Sequence, residues 1–325
     1  MIKGFILHGI SDIPELHVFT FFLILFIYLL GLAGNLAIVL LVCLDVHLHN
    51  PMYFFLSNLS IIDMSSSTTA LHRIFIAFAT QNKIVSPKAC MAELYIFCSL
   101  TSNELCILAA MSYDRYVAIC RPLHYHTIMS RRLCGLMTLI SWGFGFIEMV
   151  PTVFFVSQFT CYISKEIDHY FCDVLPIRAI TCSDTSLLDL YILSFGNINI
   201  STLLLLTITS YIFIIKSILR IRSSAGRSKA FYTCSSHIMV VVMFYSSIFL
   251  QYIATVSGSN MGSNIIFSLF NTSVVPMLNP LIYSLKNKDV KSALRRKLLW
   301  IQINFSDTTV KDKSQRMNEF STSVK

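Results

Sequence analysis

The sequence predicts an all-α membrane protein, a bundle of seven transmembrane helices followed by a short amphipathic helix. Two observations carry that expectation first. Of the 325 residues, 55% are hydrophobic and only 13% charged, about half the charge of soluble domains. A water-soluble globule of this composition would lack polar residues to cover its surface. The apolar residues also gather in blocks rather than at amphipathic spacing, and the blocks reach the roughly 20 residues needed to cross hydrocarbon.

The spans fall at 18–44, 52–78, 92–120, 134–156, 188–214, 230–254 and 263–285. The first is longer than the core of a signal peptide and no small-residue cleavage pattern follows it, so a retained helix is expected. Residues 1–17 before it are too short for a domain. The second span is the weakest. Ser65-Ser66-Ser67-Thr68-Thr69 interrupts it and Arg73 stands near its end. Hydroxyls are tolerable in lipid when they return to backbone carbonyls or bond a neighbouring helix.

Basic residues set the orientation. With seven spans, one face carries 19 of the 25 Lys and Arg and the other only Lys3, Arg73, Lys83, Lys88, Lys165 and Arg178. The richer face belongs in the cytoplasm, which puts the N-terminus outside and the C-terminus inside a plasma membrane. The net charge of +8 follows from this topology and from attraction to anionic membrane lipid, leaving no case for a nucleic-acid partner. Cys90, Cys161, Cys172 and Cys182 would then face an oxidising compartment. Spacing alone leaves their three pairings open. The other six cysteines lie in or beside apolar spans and read as small apolar residues.

Charges within spans cost about 2.5–3.5 kcal/mol each at mid-helix. Asp63 in the second span and Glu104 in the third are therefore functional candidates. If they face each other, repulsion must be relieved by protons or by a shared cation such as sodium, helped by Asn35 or Asn279. At the inner end of the third span stand Asp114, Arg115 and Tyr116, which read either as an interfacial anchor or as a switch opened when a partner captures the Arg. In the seventh span Asn279-Pro280-Leu281-Ile282-Tyr283 places a proline where it frees a carbonyl and makes a hinge.

Several strings stand in order: Gly34-Asn35; Pro51-Met52-Tyr53-Phe54-Phe55-Leu56 running to Asp63; Met111-Ser112-Tyr113-Asp114-Arg115-Tyr116 with Pro122-Leu123-His124-Tyr125; Ser228 to Cys234-Ser235-Ser236-His237; and Pro276 to Tyr283. The series resembles the vertebrate olfactory receptors, a rhodopsin-like branch of G-protein-coupled receptors, in its tetrapod-type form. The resemblance covers residues 5–298, and its Cys-Ser-Ser-His string is the most specific part.

That resemblance implies a receptor, not an enzyme, which binds a small, mostly apolar volatile odorant and activates a stimulatory heterotrimeric G protein, raising cyclic AMP. It implies disulfides Cys90–Cys172 and Cys161–Cys182. Asp114, Arg115 and Tyr116 match the family's ionic switch, with Tyr211, Asn279, Pro280 and Tyr283 as parts that rearrange on activation. Asp63 and Glu104 match a sodium-binding carboxylate pair, a structural ion rather than a cofactor. The odorant pocket is expected in the outer half of the bundle. Helical spacing offers Phe97, Thr101 and Glu104 on the third helix, Phe195 and Asn199 on the fifth, Tyr245, Ile248 and Tyr252 on the sixth, and Leu269 and Thr272 on the seventh. Such an apolar cavity with few polar groups suits a volatile ligand.

Beyond the seventh span, Val290, Leu294 and Leu298 recur at helical spacing among Lys291, Arg295, Arg296 and Lys297, so 286–303 reads as an amphipathic helix on the inner leaflet. The polar stretch 304–325 reads as a disordered cytoplasmic tail. Departures from the family pattern are Ser112 before the Tyr-Asp-Arg string, Arg121 where Asn is common, and an N-terminal segment without a glycosylation sequon. A seven-helix chemosensory receptor acting outside the nose is a near alternative. A cation or proton transporter is a remoter one, since the two-fold internal repeat common in transporters is not visible.

Overall fold

A computed structural model describes residues 4–8, 14–256, 261–287 and 289–297. Seven long helices run through them. They are α1 (Pro14–Leu44), α2 (Pro51–Thr80), α3 (Pro87–Cys120), α4 (Arg131–Ser157), α5 (Ser186–Leu219) and α6 (Ser224–Val256). The last, α7, is built from Met261–Leu269, a π turn at Phe270–Val274, and Val275–Lys286. A π turn at Ile192–Gly196 also widens α5.

The helix starts are written locally. Asn50 and Ser86 each accept a backbone N–H from three residues on, and each precedes a proline at the first helical position. Ser130 caps α4 in the same way. Such caps satisfy donors that the first turn leaves free. Gln81, at φ 56°, ends α2 in the left-handed conformation.

Six of the long helices are apolar enough to cross a membrane by composition, and α2 is not among them. It is nonetheless a continuous 30-residue helix. Its hydroxyls fold back on the backbone: Ser65 donates to the carbonyl of Ile61 at 2.8 Å, Thr68 to Met64 at 2.7 Å and Thr69 to Ser65 at 2.8 Å. With those hydroxyls satisfied internally, the polar stretch costs little.

Both disulfides lie at one end of the bundle. There the chain departs from the all-α expectation with a small sheet of order β2-β1-β3. In it β1 (Phe5–Leu7) runs antiparallel to β2 (Ile84–Val85) and parallel to β3 (Glu166–Ile167). Phe5 and Leu7 point into an apolar cluster with Val85, Cys90, Ile167 and Ile177, so the N-terminal residues serve as packing. The largest core, around Phe55, Leu59, Leu108, Met111 and Tyr283, fills the middle and the opposite end.

Residues 289–297 form α8. Val290 and Ala293 are buried against the bundle whereas Leu294 is exposed, so the inward stripe runs through 290 and 293 rather than 290 and 294. Leu298 and the tail 304–325 lie outside the described residues. Arg296 reaches back to Asp45, at 2.7 and 3.1 Å, and the hydroxyl of Tyr53 lies 2.9 Å from Asn287 and 3.0 Å from Asp289. These contacts tie α8 to the α1–α2 turn.

Candidate functional site

At the end opposite the disulfides, α3 carries Asp114 fully buried beside Arg115. The Arg115 guanidinium donates to Asp114 Oδ2 at 2.9 and 3.2 Å. The hydroxyl of Tyr125, on the short helix Tyr125–Ile128, donates to Asp114 Oδ1 at 2.8 Å. Burial raises the Tyr125 phenol well above its usual range, so it stays a donor. A buried ion pair gains little net stability, but removal of one partner strands the other charge. Such a pair suits a two-state element: a partner that takes Arg115 must also compensate Asp114.

Around it stand the other candidate switch residues. Tyr211 on α5 hydrogen-bonds the imidazole Nδ1 of His237 on α6, ring over ring. His237 is fully buried; the Cys-Ser-Ser-His string marks it in the sequence, but its partner on another helix leaves no local signal. The Tyr116 ring lies 6.0 Å from that of Phe213 on α5. Tyr283 is buried with its hydroxyl unpaired. Pro280 packs against α1: a Cβ on Gly34 would stand 2.9 Å from its ring.

One layer inward, Asn279 donates to Asp63 Oδ2 at 2.9 Å, and Asn35 donates to the carbonyl of Pro276 at 2.8 Å. Glu104 lies within electrostatic reach of Asp63. Asp63 Oδ1, Glu104 Oε1 and Asn279 Oδ1 are buried with no hydrogen-bond partner. Three orphaned oxygens, two of them on carboxylates, form a donor set of the hard type that small cations take.

The candidate pocket residues divide. Phe97, Leu269 and Thr272 come together under the loop between α4 and α5. The Phe97 ring meets that of Phe171 edge-on at 4.7 Å, Leu269 packs in the same cluster, and the hydroxyls of Tyr170 and Thr272 are 2.9 Å apart. Tyr170 and Phe171, flanking the disulfide at Cys172, are therefore part of this region, and the sequence offered only their nearness to a cysteine as a signal. Thr101 spends its hydroxyl on the carbonyl of Phe97 at 3.1 Å. Tyr245 and Ile248 pack half-buried against the main core. The side chain of Tyr252 lies outside the described residues.

Phe195 needs correction. It is 63% exposed, its ring stacked on Tyr191, so it points away from the bundle. The expectation assumed ideal α spacing through α5, and the π turn at Ile192–Gly196 breaks that spacing. Asn199 faces inward, and both its contacts go to Glu148 on α4, at 3.0 Å to each carboxylate oxygen. Glu148 is a third carboxylate within a span. Its signal in the sequence is that it is the sole acidic residue of the fourth apolar block.

The disulfides Cys90–Cys172 and Cys161–Cys182 are formed. Between them, His169 is 3% exposed, stacked on Tyr170, with its Nδ1 facing the backbone N–H of Phe171. Burial pushes its pKa down to about 4.

Seven helices with a buried Asp–Arg pair at one end and a disulfide from α3 to the α4–α5 loop at the other define a rhodopsin-type receptor. The fold matches the crystal structure of squid rhodopsin with a TM-score of 0.72 over 93% of this chain and 92% of that one, at 17% identity. A family model described as "Olfactory receptor" matches residues 24–300. The chain is 46% identical over 292 residues to human olfactory receptor 8G3, covering 90% of this chain and 94% of that one. It is 44% identical to mouse olfactory receptor 8G50, with 91% and 95% covered, and 42% identical to human olfactory receptor 6C74, with 93% and 97% covered. The chain belongs to the olfactory receptor family, a multi-pass membrane receptor and not an enzyme.

Proposed function

We propose that this receptor binds a small, mostly apolar volatile odorant in the half of the bundle nearest the disulfides and activates a stimulatory heterotrimeric G protein, raising cyclic AMP. The observation that carries the coupling half is the buried Asp114–Arg115 pair held by Tyr125, at the end where basic residues concentrate. That charge bias supports a plasma-membrane topology with the N-terminus and both disulfides outside and the C-terminus in the cytoplasm, where α8 lies against anionic lipid. Phe97, Leu269 and Thr272, with Tyr170 and Phe171 over them, form the apolar wall of the odorant site. Arg115 receives the G protein when α5 and α6 move and the Tyr211–His237 contact is exchanged.

A sodium ion held by Asp63, Glu104 and Asn279 fits the three orphaned oxygens. Bound there, it would relieve the repulsion between the carboxylates and favour the inactive packing.

The test is cyclic-AMP output from cells expressing the full chain with the olfactory stimulatory G protein, challenged with an odorant panel beside Arg115→Ala. A surface-expressed receptor should respond to at least one odorant and lose that response in Arg115→Ala. A response that survives in Arg115→Ala would overturn the coupling role given to Arg115.

A further inference from the structure

Glu148 is an intramembrane carboxylate that neither the switch nor the Asp63–Glu104 layer uses. It sits half-buried on α4, in the half of the bundle nearest the disulfides. Ser102 on α3 donates to its Oε2 at 2.6 Å, Asn199 on α5 donates to both oxygens at 3.0 Å, and the Tyr191 hydroxyl donates to its backbone carbonyl at 2.7 Å. All of these partners are neutral, and none of the ion pairs among the described residues includes it. A carboxylate offers about four acceptor positions, so Oε1, with one donor, keeps room for another.

The surrounding backbone is shaped around this group. Pro151, one turn on, withholds an N–H from the α4 ladder, and the π turn of α5 begins at Ile192, next to Tyr191. Irregular turns in spanning helices gather where a cavity or ligand must be accommodated. One turn before Glu148, the fully buried amide of Asn103 lies against Gly145, with neither its nitrogen nor its oxygen hydrogen-bonded. A buried, unpaired amide beside a carboxylate without a counter-charge marks a polar wall that lacks its partner.

We propose that Glu148, set by Ser102 and Asn199, is the specificity-determining residue of the odorant site and selects ligands with a hydrogen-bond-donating head on an apolar chain, protonated amines best and alcohols next. This rests on the reading that the odorant binds within the bundle. Ethers and alkanes offer no donor, and they gain nothing from an acceptor whose desolvation they would still impose. Ser102 stands on α3 five residues beyond Phe97, the α3 member of the apolar wall assigned to the ligand.

The test uses the full receptor in nanodiscs and in cells, with straight-chain amines, alcohols, symmetric ethers and alkanes from butyl to decyl as probes. Thermal-unfolding midpoint reports binding, and cyclic AMP reports signalling. Amines and alcohols should raise the midpoint while ethers and alkanes of equal length do not. Glu148→Gln should weaken the amine effect about tenfold or more yet keep the alcohol effect, because the amide oxygen still accepts; Glu148→Ala should weaken both. Ethers and alkanes as effective as amines, an unchanged ranking in Glu148→Gln, or no binding by any probe would overturn the proposal. Donor-selective binding with no cyclic AMP would uphold Glu148 and count against the signalling reading instead.

Discussion

The two ends of the bundle are held together by different chemistry. The disulfide end is fastened by two covalent bridges, a three-stranded sheet that draws in the first residues of the chain, and an apolar cluster over Cys90 and Cys172. The opposite end shares the largest apolar core and adds, in place of bridges, polar contacts: Arg115 on Asp114, Tyr125 on Asp114, Tyr211 on His237, and Arg296 on Asp45. Covalent bridges hold one arrangement; hydrogen bonds and ion pairs can be surrendered to a partner that offers equivalents. A receptor needs both properties. The ligand end must keep its shape, and the coupling end must have two arrangements of similar energy.

Cutting the covalent side should give the largest effect. The Cys90–Cys172 bridge closes a separation of 82 residues and Cys161–Cys182 one of 21, for which chain entropy gives about 4.5 and about 3.3 kcal/mol respectively. Cys90→Ser should thus cost more than Cys161→Ser. Surface abundance and thermal inactivation of the purified receptor read this directly, and equal losses would mean that loop closure is not what the bridges contribute.

Cutting the polar side should change signalling more than stability. Asp114→Asn frees Arg115 from its charge partner while leaving a hydrogen-bonding group for Tyr125. Ligand-independent cyclic AMP per receptor at the surface should rise several-fold, even where the unpaired Arg115 lowers abundance. If basal output falls instead, Asp114 supports the active arrangement rather than restraining it.

How far this contrast was legible in the sequence differs between the ends. Spans and the Asp114–Arg115 string are local patterns, and local patterns survive into the fold. The run of Ser and Thr at 65–69 lowered the hydropathy of α2, yet the bonds from Ser65, Thr68 and Thr69 back to the helix make that measure too severe. The sheet was invisible because its strands are two or three residues long and pair residues as far apart as Ile6 and Glu166. Phe195 was misplaced because a π turn leaves no mark in the apolar pattern. Glu148 was readable as an acid in an apolar block; its partners Ser102 and Asn199 were not, since they come from two other helices.

The ends should also answer acid differently. His169, pushed down to about 4 by burial, is neutral in the fold while an unfolded chain would protonate it near 6.5. The unfolded state therefore binds more protons as pH falls through 6.5, and the disulfide end should weaken by about 2 kcal/mol at pH 5 relative to pH 7.5. His169→Gln should flatten that dependence. Thermal unfolding of the purified receptor at both pH values checks it, and an equally steep loss in the variant would assign the acid response elsewhere.

The smallest effect belongs to the α8 tether. The Arg296 guanidinium, together with the N–H groups of His47, holds the Asp45 carboxyl well below the usual carboxylate range. A depressed carboxylate contributes stability that is fully present above its unfolded pKa, near 4, and is lost only as pH falls through its still lower folded value. Between pH 7.5 and 5 this tether should not respond, in contrast to His169. Arg296 is 45% exposed, so solvent screening keeps the pair within about 1 kcal/mol. Arg296→Ala should therefore leave the unfolding midpoint almost unmoved while speeding amide exchange in α8 alone, at every pH above 5. Faster exchange that spread into α7 would mean the tether restrains the seventh helix as well, and that the coupling end is less separable from its anchor than its contacts indicate.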